Sequence, residues 1–316
     1  MSRCSAGVDL SHEFVATGIL LDLESFAFFS LKLNRCLAAG VVPECDPTFF
    51  GLLRRFFYPF DSVTFVDMAT AIARIYIVEG FTVAADGREL DGETKSITSD
   101  SEQKIFVLHH RRGDLACSVT GAGRIGEHYR LSQEIPKIGL MIEECEALNV
   151  GEYAECLGNG LKRSIEKRFS SLRRTLTINL LLDGYIEDRP GRAKATIVCG
   201  PIPVPVGVES QVLCPGRATG FGSSLIHELL FAPILQHDPL RPYWTACHQE
   251  VRTLEQSMTV AHAIIAAQCD PCVASLDPEL RATIGGHIHI AKVTIDGFAW
   301  LVPPLPTEGA LGREIH

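Results

Sequence analysis

Residues 68 to 88 read MATAIARIYIVEGFTVAADGR and set Thr70 sixteen residues ahead of Asp86, with Gly80 between two apolar runs. A threonine hydroxyl is a poor nucleophile until a base takes its proton, so the pair raises the question of what would serve it. Taken alone, the two residues have a simpler role, because threonine commonly opens a strand and Asp-Gly commonly ends one. Other residues with chemical capacity follow. Gly121-Ala-Gly-Arg-Ile-Gly126 has the GxGxxG spacing of a dinucleotide-binding turn between a strand and a helix. Such a unit needs a second parallel strand ending in an acid about twenty residues on, whereas Glu143 and Glu144 fall inside a continuing helical pattern. His287 and His289 share one face of a strand and could ligate a metal, but no partner ligands stand out, and packing or hydrogen bonding by neutral imidazoles accounts for the pattern. Cys269 and Cys272 form a CxxC that lacks both the further ligands of a zinc site and a thioredoxin-like context. Cys117 reads as a small buried hydrophobe.

The elements that would position these residues are legible from periodicity. Thr70 to Val78 and Phe81 to Ala85 are β-branched apolar runs joined at Glu79-Gly80, which predicts a hairpin. A polar loop from Gly87 to Glu102 leads to a strand from Lys104 to Leu108, and the charged turn HHRRGD connects it to a strand from Leu115 to Val119. Two long helices are expected, Ile125 to Leu148 with a kink at Pro136 and Gly151 to Leu172. Lys162 to Arg174, the one basic cluster, lies on the solvated side of the second. Strands follow at Thr177 to Leu182 and Ala193 to Val198, and the run PIPVPV is a poor central strand because proline cannot donate to a ladder. A short helix is expected after Gly222 and a loop near Gln236 to Tyr243. The last helix opens on a Thr253/Gln256 capping box, carries Leu254, Met258, Ala261 and Ile265 on one face, and ends near Cys269. His287 to Ile295 and Phe298 to Val302, joined by Asp296-Gly297, close the chain.

This order of strands, helices, strands, helix, strands lacks the alternation of a doubly wound sheet. It points to an α+β fold, a four-layer αββα sandwich of two antiparallel sheets flanked by helices. Residues 68–305 form that domain, residues 306–316 a tail, and residues 1–67, which hold ten of the sixteen phenylalanines, an extension, a pro-segment or a stretch upstream of an alternative start at Met68. The run from Phe14 to Leu33 is interrupted by Asp22, Glu24 and Lys32, which argues against a membrane span. With 29 basic against 38 acidic residues, the net charge of -9 disfavours nucleic acid and anionic lipid as partners. Eleven irregularly spaced cysteines read as reduced thiols in a cytoplasm rather than as a disulfide framework.

The spacing Thr70, Gly80, Asp86 resembles that of the proteasome-type N-terminal nucleophile hydrolases, over about residues 70 to 303. In that family a threonine opens the first strand, a glycine stands ten residues on, and an acid follows sixteen residues after the threonine. Lys104 fits the family's catalytic lysine if the preceding loop is two residues longer. Thr120-Gly121 resembles its oxyanion loop, Asp183-Gly184-Tyr185 an internal strand motif, and Ile284-Gly285-Gly286 the Gly-Gly entry to the final hairpin.

The resemblance implies a threonine hydrolase acting on peptide bonds. The α-amine of Thr70 would be the base, with an ordinary pKa of about 7.7 to 8.0. Lys104 would favour the alkoxide, Asp86 would hold that lysine, and the Gly121 N–H would stabilise the oxyanion. It further implies a peptide or protein substrate, a homo-oligomeric ring with an ATP-driven unfoldase as a further partner, and no cofactor or metal. This chain departs from the pattern in three places: Ala69 precedes Thr70 where active relatives have glycine, Arg281 and Ile284 replace an Asp and a Ser that orient the amine, and near PGRATG the serines are displaced to Ser223 and Ser224. A non-catalytic scaffold or gating subunit is therefore the alternative, ahead of a dinucleotide-binding protein built on GAGRIG.

Overall fold

Strict alternation of side chains organises the molecule. In the computed structural model, which describes residues 70–90, 96–121, 123–125, 129–169, 175–278 and 283–305, all described residues lie in one compact unit. Residues 1–67, 306–316 and Arg281 lie outside the described residues, and with them the expectations placed there. The first hairpin comprises β1 (Ile72–Ile77) and β2 (Gly80–Ala85), paired in register from Ile72 opposite Ala85 to Ile77 opposite Gly80. Short strands β3 (Glu89–Leu90) and β4 (Ile97–Ser99) form a separate ladder. Next come β5 (Ile105–His110), β6 (Gly113–Gly121), β7 (Arg124–Ile125) and β8 (Tyr129–Arg130), then helices α1 (Leu131–Met141) and α2 (Val150–Arg168).

The second half contains β9 (Leu176–Ile186), β10 (Arg189–Cys199), β11 (Gly207–Ser210) and β12 (Ala218–Phe221). It continues with α3 (Ser224–Leu230), α4 (Arg241–Cys247), α5 (Leu254–Cys269) and α6 (Pro271–Ala274), and it ends with β13 (His289–Thr294) and β14 (Gly297–Val302). One five-stranded sheet has the order β12-β1-β2-β13-β14 and the other β11-β10-β9-β6-β5, with every pairing antiparallel.

The odd-numbered residues of β1, Ala73, Ile75 and Ile77, join a core with Leu230, Val260 and Ile264 from the helices. Ile72 faces the other way and packs with Ile105, Leu181 and Tyr185 of the second sheet. On β9, Leu180 and Leu182 point to a third cluster with Tyr153, Leu157 and Leu161 of α2. Three apolar layers thus separate four layers of structure, helices, sheet, sheet, helices, so the expected αββα sandwich is the observed one.

Several boundaries differ from expectation for physical reasons. The helix expected over Ile125 to Leu148 is only Leu131–Met141, because Tyr129-Arg130 folds back on Arg124-Ile125. Glu143, Glu144 and Glu146 would also sit at the negative end of a longer helix dipole. Asn149 then caps α2 by accepting from the Glu152 N–H. In the first and last hairpins the turn falls at Val78-Glu79 and Ile295-Asp296, so Gly80 and Gly297 open the second strand with positive φ and do not complete the turn. The loop expected up to Tyr243 contains the start of α4. The last three residues of PGRATG, Ala218 to Gly220, belong to β12, the edge strand beside β1.

The capping box on α5 is present as expected. GAGRIG does not open a helix: Gly121 ends β6, which is antiparallel to both its neighbours, and the next helical residue is Leu131. A dinucleotide turn needs a parallel strand feeding straight into a helix N-terminus, so that reading is set aside. Among the described residues no helix is long and apolar enough to cross a membrane, and no group of three or more metal-ligating side chains converges.

Candidate active site

Asp86 follows β2 directly and is fully buried. Its Oδ1 accepts from the Ala71 N–H at 2.9 Å and from Lys104 Nζ at 2.8 Å. Its Oδ2 accepts from the N–H groups of Gly285 at 3.1 Å and Arg88 at 3.3 Å. The Asp86 N–H donates in return to the Ala71 carbonyl at 3.1 Å. Four donors satisfy a carboxylate that would otherwise be too costly to bury. The register of the first hairpin is the reason these groups meet, because β1 and β2 bring the residue after Thr70 against the residue after Ala85.

Lys104 precedes β5 and is held at both ends. Its ammonium pairs with Asp86, and its backbone N–H donates to Nε2 of His289 at 3.1 Å. His289 lies at the start of β13, paired with Ala85 across the ladder, so two adjacent strands of one sheet hold the lysine. Sequence reading gave His289 no part in the site; it is the neutral hydrogen-bonding imidazole that reading favoured over a metal ligand, and its partner is the site lysine. His287 lies outside β13 and is bonded to the Pro303 carbonyl.

Thr70, Lys104 and Gly121 line one pocket together with Glu102, Phe106 and Leu131. Gly121 has φ +97, and a Cβ there would collide with the Thr177 carbonyl, so only glycine fits this end of β6. Thr120 beside it is fixed by Asn179 Nδ2 at 3.2 Å. The four residues singled out from sequence therefore converge: three line the pocket and Asp86 grips the lysine from behind.

Ser223, in contrast, caps α3 through its bond from the Ile226 N–H and donates to Asp277 at 2.6 Å, and Ile284 is buried in the helix-side core. Glu102, which sequence reading passed over, stands two residues before Lys104, the spacing that puts alternate residues of an extended chain on one side. Burial holds the thiols of Cys117 and Cys269 above the usual cysteine range, Cys269 at about 12, so neither is a reactive thiolate.

Burial, then the neighbouring Lys104 charge, then His287, push His289 down to about 3 from an ordinary 6.5. The unfolded chain binds this proton more readily than the folded one. Its contribution to stability is thus complete above pH 6.5 and is lost as pH falls toward 3. The slope is about 1.4 kcal/mol per pH unit for one such group. His289→Leu is expected to flatten this acid limb and to lower stability at pH 7 by about 1–3 kcal/mol, through the orphaned Lys104 N–H. Urea unfolding at a series of pH values measures both, and an unchanged acid limb would refute the assignment.

No protein-family profile matches the chain, and no curated protein matches it. Among solved structures the chain is similar to Anbu (ancestral beta-subunit) from Yersinia bercovieri, at 14% identity and a TM-score of 0.46, covering 74% of this chain and 87% of that one. It is also similar to the Anbu (Gly-1) mutant from Hyphomicrobium sp. strain MC1, at 13% identity and a TM-score of 0.44, covering 73% and 84%. Likeness at that level carries none of the functional argument. By its sheet order, strand register and three apolar layers, the chain is an α+β protein of four-layer αββα architecture.

Proposed function

We propose that the chain is a proteasome-like threonine hydrolase that cleaves peptide bonds, with Thr70 as an N-terminal nucleophile once the Ala69–Thr70 bond is cut. The observation that carries this is the buried Asp86–Lys104 pair, 2.8 Å apart, behind a pocket that Thr70 and Gly121 also line. The Thr70 α-amine takes the hydroxyl proton, directly or through water, and Oγ attacks the peptide carbonyl. Lys104 lowers the energy of the oxygen as it gains charge, and the ion pair with Asp86 fixes the lysine side chain in place. The Gly121 N–H donates to the carbonyl oxygen of the tetrahedral intermediate. Collapse expels the amine with the proton, leaving an ester on Thr70 that water then hydrolyses. The active form is a homo-oligomeric ring in the reducing cytoplasm, fed with unfolded protein.

A second reading, a non-catalytic subunit of such an assembly, is favoured by two observations. Ala69 precedes Thr70, so before cleavage the nitrogen is an amide and no base. Ile284 is buried and apolar where a hydrogen-bonding side chain would orient the amine. Thr70→Ala separates the two: a hydrolase loses fluorogenic peptide cleavage to background while its size in solution is unchanged. Cleavage that survives the substitution would exclude Thr70 as the nucleophile.

A further inference from the structure

The layer between the two sheets holds more positive than negative charge. Arg74 of β1 and Arg192 of β10 are buried, and each donates through Nε to the fully buried Asp183 of β9, at 2.5 and 2.6 Å. A guanidinium keeps its proton in a protein, so two of them against one carboxylate leave one net positive charge. Peptide cleavage at Thr70 makes no use of this cluster.

Its donors are unequally served. Arg74 Nη1 donates to Gln211 Oε1 at 3.1 Å and Nη2 to the Leu182 carbonyl at 3.0 Å. Arg192 Nη1 donates to Thr219 Oγ1 at 2.7 Å, but Nη2 is buried with no hydrogen-bond partner among the described residues. As a whole residue Arg192 is 4% exposed. The neighbouring ionisable groups do not supply the missing charge. Burial pushes the Cys117 thiol and the Tyr185 phenol up, so both stay neutral. The Phe81 ring, 5.8 Å from Arg192 Cζ, attracts a cation through its face but has no net charge to offer.

A water at Nη2 would satisfy the donor and leave the charge unpaired, whereas an anion answers both. The surroundings favour a small one. Phe81, Tyr185 and Leu181 belong to the apolar cluster between the sheets, where the several oxygens of a carboxylate or phosphate would each need a partner. A halide accepts N–H groups without that demand. A route in also exists, because Gln211 follows β11 and Thr219 lies on β12, which are edge strands of the two sheets, and Thr219 is exposed.

We propose that the Arg74–Asp183–Arg192 cluster binds one chloride-sized monovalent anion, which accepts from Arg192 Nη2 and brings the layer between the sheets to neutrality. The site is separate from the Thr70 pocket, and the assignment stands whether or not the chain cleaves peptides.

Bromide replaces chloride and can be located by its anomalous scattering. A crystal of the full chain grown in bromide is expected to show a peak within hydrogen-bonding reach of Arg192 Nη2. In solution, exchanging gluconate for chloride at constant ionic strength should raise the melting temperature saturably, by about 3–6 °C once chloride is tenfold above its dissociation constant. Arg192→Gln leaves a balanced Arg74–Asp183 pair and should abolish that rise. Lys194→Gln removes a cation of the same strand that lies over Phe221 instead, and should keep it. If Arg192→Gln does not fold, the bromide position in the wild-type chain decides. A water alone at Nη2, equal melting temperatures in chloride and gluconate, or a rise as large in Arg192→Gln as in the wild type would each overturn the proposal.

Discussion

Lys104→Ala is expected to lower kcat for peptide cleavage by about 10²- to 10³-fold, the usual loss when one preorganised electrostatic group is removed from an oxyanion or alkoxide. The fold should survive, because Asp86 keeps the N–H groups of Ala71, Gly285 and Arg88 as donors after the ammonium is gone. Stability should still fall, because the fully buried Asp86 carboxylate loses its cation, but by less than for a charge left with no donor at all. Asp86→Asn is the informative contrast. It keeps the side-chain shape but leaves Lys104, 7% exposed, without its carboxylate, so activity and stability should fall together. Steady-state kinetics and thermal unfolding on the two variants give the comparison, and a Lys104→Ala chain with wild-type turnover would remove the lysine from the mechanism.

The largest expected effect on stability lies away from the pocket. Arg74 of β1, Asp183 of β9 and Arg192 of β10 form an ionic triad in the layer between the sheets, with side chains no more than 2% exposed. Arg74 Nε and Arg192 Nε donate to the two oxygens of Asp183 at 2.5 and 2.6 Å. Arg74 also reaches the Leu182 carbonyl at 3.0 Å and Gln211 at 3.1 Å, and Arg192 reaches Thr219 at 2.7 Å. Burial drives the Asp183 carboxyl upward, but Arg192 and Arg74 together outweigh it and hold the group below the usual carboxylate range. Burial likewise lowers Arg74. A guanidinium does not give up its proton in a protein, so the triad stays ionised with one net positive charge.

Asp183→Ala would leave two buried guanidiniums without an anion and is expected to destabilise the chain by about 3–5 kcal/mol, on the order of 10 °C in melting temperature. One donor, Arg192 Nη2, is already buried without a hydrogen-bond partner among the described residues, so little slack exists to absorb the loss. Replacing all three residues with apolar side chains of similar volume should recover most of that stability, because the desolvation cost leaves with the charges. A triple variant as unstable as Asp183→Ala would show that shape, and not charge, sets the requirement.

Much of the site was legible in the sequence because it follows from register. Thr70, Gly80 and Asp86 occupy one hairpin, and a strand period of two determines which groups meet across it. Lys104 comes from the family resemblance, which sets a lysine near the start of the third strand after a loop two residues longer here. What could not be read is long-range: that His289, nearly two hundred residues on, accepts the Lys104 N–H, and that the Gly285 N–H closes on Asp86. No local pattern encodes a pairing that only the order β1-β2-β13 creates. Arg74 was hidden for a related reason, since a lone arginine in an apolar strand reads as solvent-facing until its partner on β9 is known. The helix expected from Ile125 failed at its ends, where a short ladder and a cluster of glutamates outweighed apolar spacing.

Thr70 can act only with a free α-amine, and the intact mass of the chain in a peptidase-active preparation reads this directly. Together with peptide cleavage lost in Thr70→Ala, a species whose first residue is Thr70 is predicted. Full activity in a chain that still carries Ala69 would contradict it, because the nitrogen would then be an amide and the hydroxyl would have no base.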